Sequence, residues 1–183
     1  MIKIAVFDLD GTLVNSLTDI AQSVNKGLIK AGLEEKPFEN FNHYVGDGRE
    51  VMIKRAMGSF AEDEEKFSIA WETFNSEYKI HCNDNTCAYD GCAEMLKNLD
   101  EKGIKTAVLS NKPDEFVGRI LKKVYPEHSF TEAWGKKPKY KMKPDGESLL
   151  AILEKHGISK EECIYIGDSD VDVYTAQNSG VKM

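Results

Sequence analysis

Two kinds of hydrophobic spacing divide the chain. Short apolar runs alternate with helical stripes at both ends, and only the helical period persists between them. Residues 2–7 are nearly all apolar or β-branched and stop at Asp8-Leu9-Asp10-Gly11-Thr12. A short run closed by acid and glycine predicts a buried strand of a parallel sheet covered on both faces. From Val14 the period changes: Leu17, Ile20, Ala21, Val24, Leu28 and Ala31 fall three or four apart, predicting an amphipathic helix closed by Gly32. Beyond Pro37, Gly46-Asp47-Gly48 reads as a turn. Helices follow over 49–57 and about 62–78, the second carrying Phe67, Ala70, Trp71 and Phe74. No convincing strand lies between roughly 15 and 87, and Asn83-Asp84-Asn85 closes that stretch.

The alternation then returns. A helix over 92–102 ends at Gly103, and a strand over 105–109 leads to Ser110-Asn111, with Pro113 opening the next helix. A weaker strand is expected at 130–134 and a helix over 147–156, ended by Gly157. The strand 163–166 runs into Gly167-Asp168-Ser169-Asp170, and a last helix reaches Gly180. The fold class is therefore α/β: a doubly wound, mostly parallel Rossmann-like core sheet, residues 1–14 and 88–183, interrupted by an inserted α-helical cap, 15–87. Val181-Lys182-Met183 resembles the lead-in to a further strand, so the expectation is a C-terminally truncated chain whose 163–166 strand is an uncovered edge.

Composition narrows the function classes. At 183 residues and 41% hydrophobic, the chain can bury a sizeable core and is too apolar to be disordered. A net charge of −7 disfavours binding to a nucleic acid duplex, while a few local cations still suffice for a small anionic substrate. No apolar run approaches the roughly 20 residues that cross a bilayer. Asp8 comes too early for a secretory leader, so the expected setting is cytoplasmic and away from membranes. Cys82, Cys87 and Cys92 recur every five residues and Cys163 stands alone, which fits neither a zinc nor a disulfide pattern and reads as reduced thiols.

The chemistry gathers at strand ends, where open α/β sheets bind ligands. Three expected strands end in polar clusters: Asp8 with Asp10, Ser110 with Asn111, and Asp168 with Asp172 beyond it. Asp8 and Asp10, two residues apart in extended chain, project to the same side. Close carboxylates repel and call for a cation, and Asp168 adds a third hard oxygen donor, a set suited to Mg²⁺ rather than zinc.

These residues carry a family resemblance. Asp8-Leu9-Asp10-Gly11-Thr12-Leu13 resembles the first motif of the haloacid dehalogenase superfamily, in its phosphatase branch. Ser110 resembles the second motif, Lys143-Pro144-Asp145 the third, and Gly167-Asp168-Ser169-Asp170-Val171-Asp172 the fourth. The resemblance implies Mg²⁺-dependent hydrolysis of a small anionic phosphate monoester. Asp8 would be the nucleophile that becomes an aspartyl phosphate, and Asp10 the acid and then the base. Mg²⁺ would be held by Asp8, Asp168 and the backbone carbonyl of Asp10. Ser110 and the backbone around Gly11, Thr12 and Asn111 would bind phosphoryl oxygens, Lys143 would neutralise them, and Asp172 would orient the lysine or a metal-bound water. Lys137-Pro138 is the alternative to Lys143-Pro144. A helical cap with Gly46-Asp47-Gly48-Arg49 looks similar to phosphoglycolate phosphatases, with Arg49 meeting the organic part of the substrate or serving only as an exposed cation. Pyrophosphatase, nucleotidase, sugar-phosphate mutase and a catalytically silent binding protein stay open, as does the oligomeric state.

Overall fold

A computed structural model describes residues 1–183. Four strands form one parallel sheet: β1 (Ile4–Phe7), β4 (Lys105–Pro113), β5 (Glu132–Lys136) and β6 (Cys163–Ile166), in the order β5-β4-β1-β6. The strand that opens the chain is thus central, which explains its unbroken burial. Phe7 lies level with Val108 on one side and Ile166 on the other, so β1 and β6 end together while β4 runs on beside them. That register places Asp8, Ser110 and Asp168 along one edge.

Helices cover the sheet. Ile4, Val6, Ala107, Leu109, Cys163 and Tyr165 share a buried cluster with Leu149, Ile152 and Leu153 of α7 (Glu147–Lys155) and Ala176 of α8 (Asp170–Ser179). Ala5, Phe7 and Val108 alternate to the opposite face. Helices α5 (Cys92–Glu101) and α6 (Asp114–Val124) pack on β4, burying Leu96, Val117 and Ile120. The expected uncovered edge of β6 is a correction: the chain returns beside it after α8, and the Tyr165 N–H donates to the Lys182 carbonyl at 2.8 Å. Cys163 and Tyr165 are fully buried.

The chain divides into two compact units, residues 1–15 with 87–183 and residues 16–86. The second is entirely helical, with α1 (Leu17–Lys30), α2 (Phe41–Tyr44), α3 (Arg49–Met57) and α4 (Glu64–His81). Its centre is the packing of α1 on α4. A Cβ at Gly27 would stand 2.6 Å from the Ala70 carbonyl oxygen, so glycine sets how closely these helices approach. Asp63 starts α4 by accepting the Lys66 N–H at 3.0 Å. Asp19, buried on α1, accepts the backbone N–H groups of Asn85 and Thr86 and the Thr86 hydroxyl, which ties the first helix to the segment that leaves the unit. On the core side of the crossings, β2 (Val14–Asn15) pairs antiparallel with β3 (Cys87–Ala88), so Asn15 faces Cys87.

No disulfide joins the four cysteines, and burial pushes the Cys163 thiol up to about 12. No helix is long and apolar enough to cross a membrane.

Candidate active site

Asp8 follows the last residue of β1 and is held by its own N–H, which donates to the Ile166 carbonyl at 2.8 Å. Its Oδ1 is buried and faces the Lys143 ammonium, 2.9 Å away at ion-pair distance. Burial pushes the Asp8 carboxyl above the usual carboxylate range, with Lys143 pulling it back and Asp172 adding to the rise.

Lys143 is nearly buried and bridges two acids, reaching Asp172 Oδ1 at 2.7 Å as well as Asp8. Burial alone would drive its proton off, but Asp8 and Asp172 outweigh that and raise its pKa, so the lysine is a fixed cation. Its backbone is clamped by Asn111, whose side chain accepts the Lys143 N–H and donates to the Lys143 carbonyl, both at 3.0 Å. Lys143, rather than Lys137, is thus the lysine at the strand ends. Lys137 pairs instead with Asp114 at 3.6 Å and stacks its ammonium over Trp134.

Asp172 is fully buried and saturated. Oδ1 accepts from Lys143 Nζ and from the Tyr165 hydroxyl at 2.8 Å, and Oδ2 accepts from the Ser169 N–H and hydroxyl. Burial raises its pKa, but Lys143 and the hydroxyl donors prevail and lower it, so the group stays ionised. Gly167 makes room, since a Cβ there would lie 2.3 Å from the Asp172 carboxyl carbon.

Asp168 is exposed by comparison. The Thr12 hydroxyl donates to its Oδ1 at 2.7 Å. Gly11, at φ +90°, leaves the space, because a Cβ there would stand 2.2 Å from Asp168 Oδ2. The Gly11 N–H donates to the Val14 carbonyl at 3.0 Å within the tight turn after β1. Gly11 and Thr12 thus shape and hold Asp168. Carboxylate oxygens of Asp8, Asp168 and Asp172 lie within 4.8 Å of one another.

Asp10 has a partner that sequence reasoning missed. Lys112 Nζ lies 2.8 Å from both Asp10 carboxylate oxygens. The lysine side chain is only 5% exposed and that of Asp10 18%. The Lys112 N–H donates to Ser110 Oγ at 3.2 Å. The available signal was spacing: Lys112 lies two residues beyond Ser110, on the same side of a strand that extends to Pro113 rather than ending at Leu109. Tyr165 was legible only as an apolar strand residue, because the partner of its hydroxyl is non-local in the fold. Arg49 lies in the helical unit, where its guanidinium donates to Asn75 Oδ1 at 2.5 Å and stacks 5.2 Å from the Trp71 ring centre.

The model of the family of haloacid dehalogenase-like hydrolases matches residues 5–183. The chain belongs to that family. Within it, the chain is a phosphatase similar to phosphoglycolate phosphatases. It is 32% identical to the phosphoglycolate phosphatase of Pseudomonas fluorescens, over 98% of this chain and 67% of that one. Identity to the phosphoglycolate phosphatase of Mannheimia succiniciproducens is 33%, over 97% of this chain and 82% of the relative. A crystal structure from Lactobacillus delbrueckii, of a candidate phosphoglycolate phosphatase, superimposes with a TM-score of 0.90 at 30% identity, covering 98% of this chain and 84% of that one.

The donor set suits a hard divalent cation. Asp8 offers a buried carboxylate beside Lys143, and Asp168 an exposed carboxylate steadied by Thr12. Asp172 is spent on four donors and is a poor further ligand. Three clustered acids, Asp8, Asp168 and Asp172, share one ammonium group, that of Lys143, so negative charge is in excess there. Oxygen donors with this balance fit Mg²⁺.

Proposed function

We propose that the chain hydrolyses a small carboxylated phosphate monoester of the phosphoglycolate class, with Mg²⁺ and through a phosphorylated Asp8. The observation that carries the reading is the buried Asp8 carboxylate directly after β1, its Oδ1 facing the Lys143 ammonium at 2.9 Å. An ammonium held against a carboxylate can neutralise the phosphoryl group which that carboxylate attacks. The relatives' names support the substrate class.

In this mechanism an Asp8 oxygen attacks phosphorus while the ester P–O bond breaks, and Asp10 gives its proton to the leaving oxygen. Asp10 then takes a proton from a water that attacks phosphorus. This breaks the bond to Asp8 and returns both acids to their starting state. Lys143 neutralises the phosphoryl group and keeps Asp8 oriented. Ser110 supplies a hydroxyl toward the phosphoryl oxygens from the next strand end. Asp172 acts through Lys143. Asp8, Asp168 and the Asp10 backbone carbonyl would hold Mg²⁺, whose charge lets a carboxylate approach an anionic phosphate.

The test is steady-state phosphate release from a panel containing phosphoglycolate, pyrophosphate, hexose phosphates and nucleoside monophosphates, with and without Mg²⁺. The expected outcome is release that requires Mg²⁺ and a kcat/KM highest for phosphoglycolate. Preference for pyrophosphate or a nucleotide would move the substrate assignment, and release unaffected by chelation would contradict the metal role.

A further inference from the structure

Lys112 has no duty in the mechanism above, yet it is one of the most buried cations in the chain. Removing an ammonium from water is costly unless the interior repays it with close opposite charge. Asp10 supplies that charge, since Nζ sits 2.8 Å from each of its carboxylate oxygens. Asp10 occupies the turn just before Gly11, where an aspartate held at one oxygen could still swing about its side-chain bonds. Two equal contacts fix the plane of the carboxylate as well as its position.

The lysine's own backbone is pinned. Its N–H donates to Ser110 Oγ, and β5 closes in beside it, where a Cβ at Gly135 would lie 2.4 Å from the Lys112 carbonyl oxygen. The Gly135 N–H is taken by Asp114 Oδ1 at 2.8 Å. A rigid strand end therefore carries the cation that holds Asp10.

We infer that Lys112 is the positioning residue for Asp10 and sets how well the enzyme handles esters with poor leaving groups. The inference rests on the reading of Asp10 as acid and base. Misplacing a reacting group by about 1 Å costs on the order of 10²-fold. The loss should fall on the proton-transfer step and spare esters that need little protonation.

A double-mutant cycle reads this directly, with kcat measured on an alkyl phosphate and an activated aryl phosphate. Lys112→Met should lower kcat for the alkyl ester by roughly 10–100-fold and for the aryl ester by less than about 3-fold, with KM little changed. Lys112→Arg should recover part of the loss by restoring a cation. In the Asp10→Asn background, Lys112→Met should add less than about 2-fold, because the lysine acts only through the acid. Lys112→Gln carries the same cycle if the Met variant does not fold. Equal losses on both esters, or a full further loss in the Asp10→Asn background, would overturn the inference. Were the unmodified enzyme to release no phosphate from any ester, the proposed function itself would fall instead.

Discussion

Asp8 and Asp172 flank the same lysine and are both buried, yet their surroundings give them different work. Asp172 accepts from four donors and is fixed, whereas Asp8 Oδ1 faces the Lys143 ammonium alone. Asp8→Asn preserves volume and removes the attacking anion, so kcat should fall by at least roughly 10³-fold while thermal unfolding stays near that of the unmodified protein. Near-native turnover would reject Asp8 as nucleophile. Gly11→Ala tests the space beside Asp168. The methyl would stand 2.2 Å from its Oδ2, at a backbone φ that other residues avoid, so Asp168 must move. The expected result is a rise of about tenfold or more in the Mg²⁺ concentration needed for half-maximal activity. An unchanged Mg²⁺ requirement would show that Asp168 placement does not matter to the metal. At this scale the sequence disclosed acids at strand ends, because strand termini and short spacings are local properties. The partners of Lys112 and Tyr165 escaped notice because they are set by the packing of strand ends and the turn after β6.

Among the elements, helices with a clean stripe were legible almost to their ends: α3 spans the expected residues, and α1 stops just short of Gly32. The short α2 was not foreseen, since four residues hold too little of a helical period. Strand β4 runs four residues beyond the expected Leu109, because pairing of Pro113 with Lys136 of β5 keeps polar residues extended. The two-residue pairing of β2 with β3 leaves no periodic signal at all. Gly27→Ala tests the contact of α1 with α4. Its methyl meets the Ala70 carbonyl, and the overlap should destabilise the protein by about 1–3 kcal/mol in urea unfolding, outweighing the gain in helix propensity. A stabilised variant would mean the helices separate freely.

Strand β5 carries a pH-sensitive contact. Burial tends to raise the Glu132 pKa, but hydrogen bonds from Lys155, His156 and Trp134 prevail and bring it down to about 2. A carboxylate depressed in the folded state stabilises above its unfolded pKa, ordinarily 4.5, and that stability drains away as pH falls toward about 2. Glu132→Gln should therefore flatten the loss of stability between those limits. Equal pH slopes for both proteins would remove Glu132 from the acid sensitivity.

For the whole molecule, the overall charge of −7 conceals a site where buried lysines meet carboxylates, and only the fold brings those charges together. The family match reaches across both units, from residue 5 to residue 183. Chelation should abolish turnover, and Mg²⁺ alone should restore it, as followed by phosphate release. Full activity in chelator would remove the cation from the account. The most direct measurement concerns Asp8 itself. Single turnovers with radiolabelled phosphate ester, quenched in acid and reduced with borohydride, followed by peptide mass spectrometry, report whether phosphate reaches that side chain. The account predicts label on the protein during turnover and homoserine in place of Asp8 after reduction. Turnover with no trapped label and an intact Asp8 throughout would contradict it.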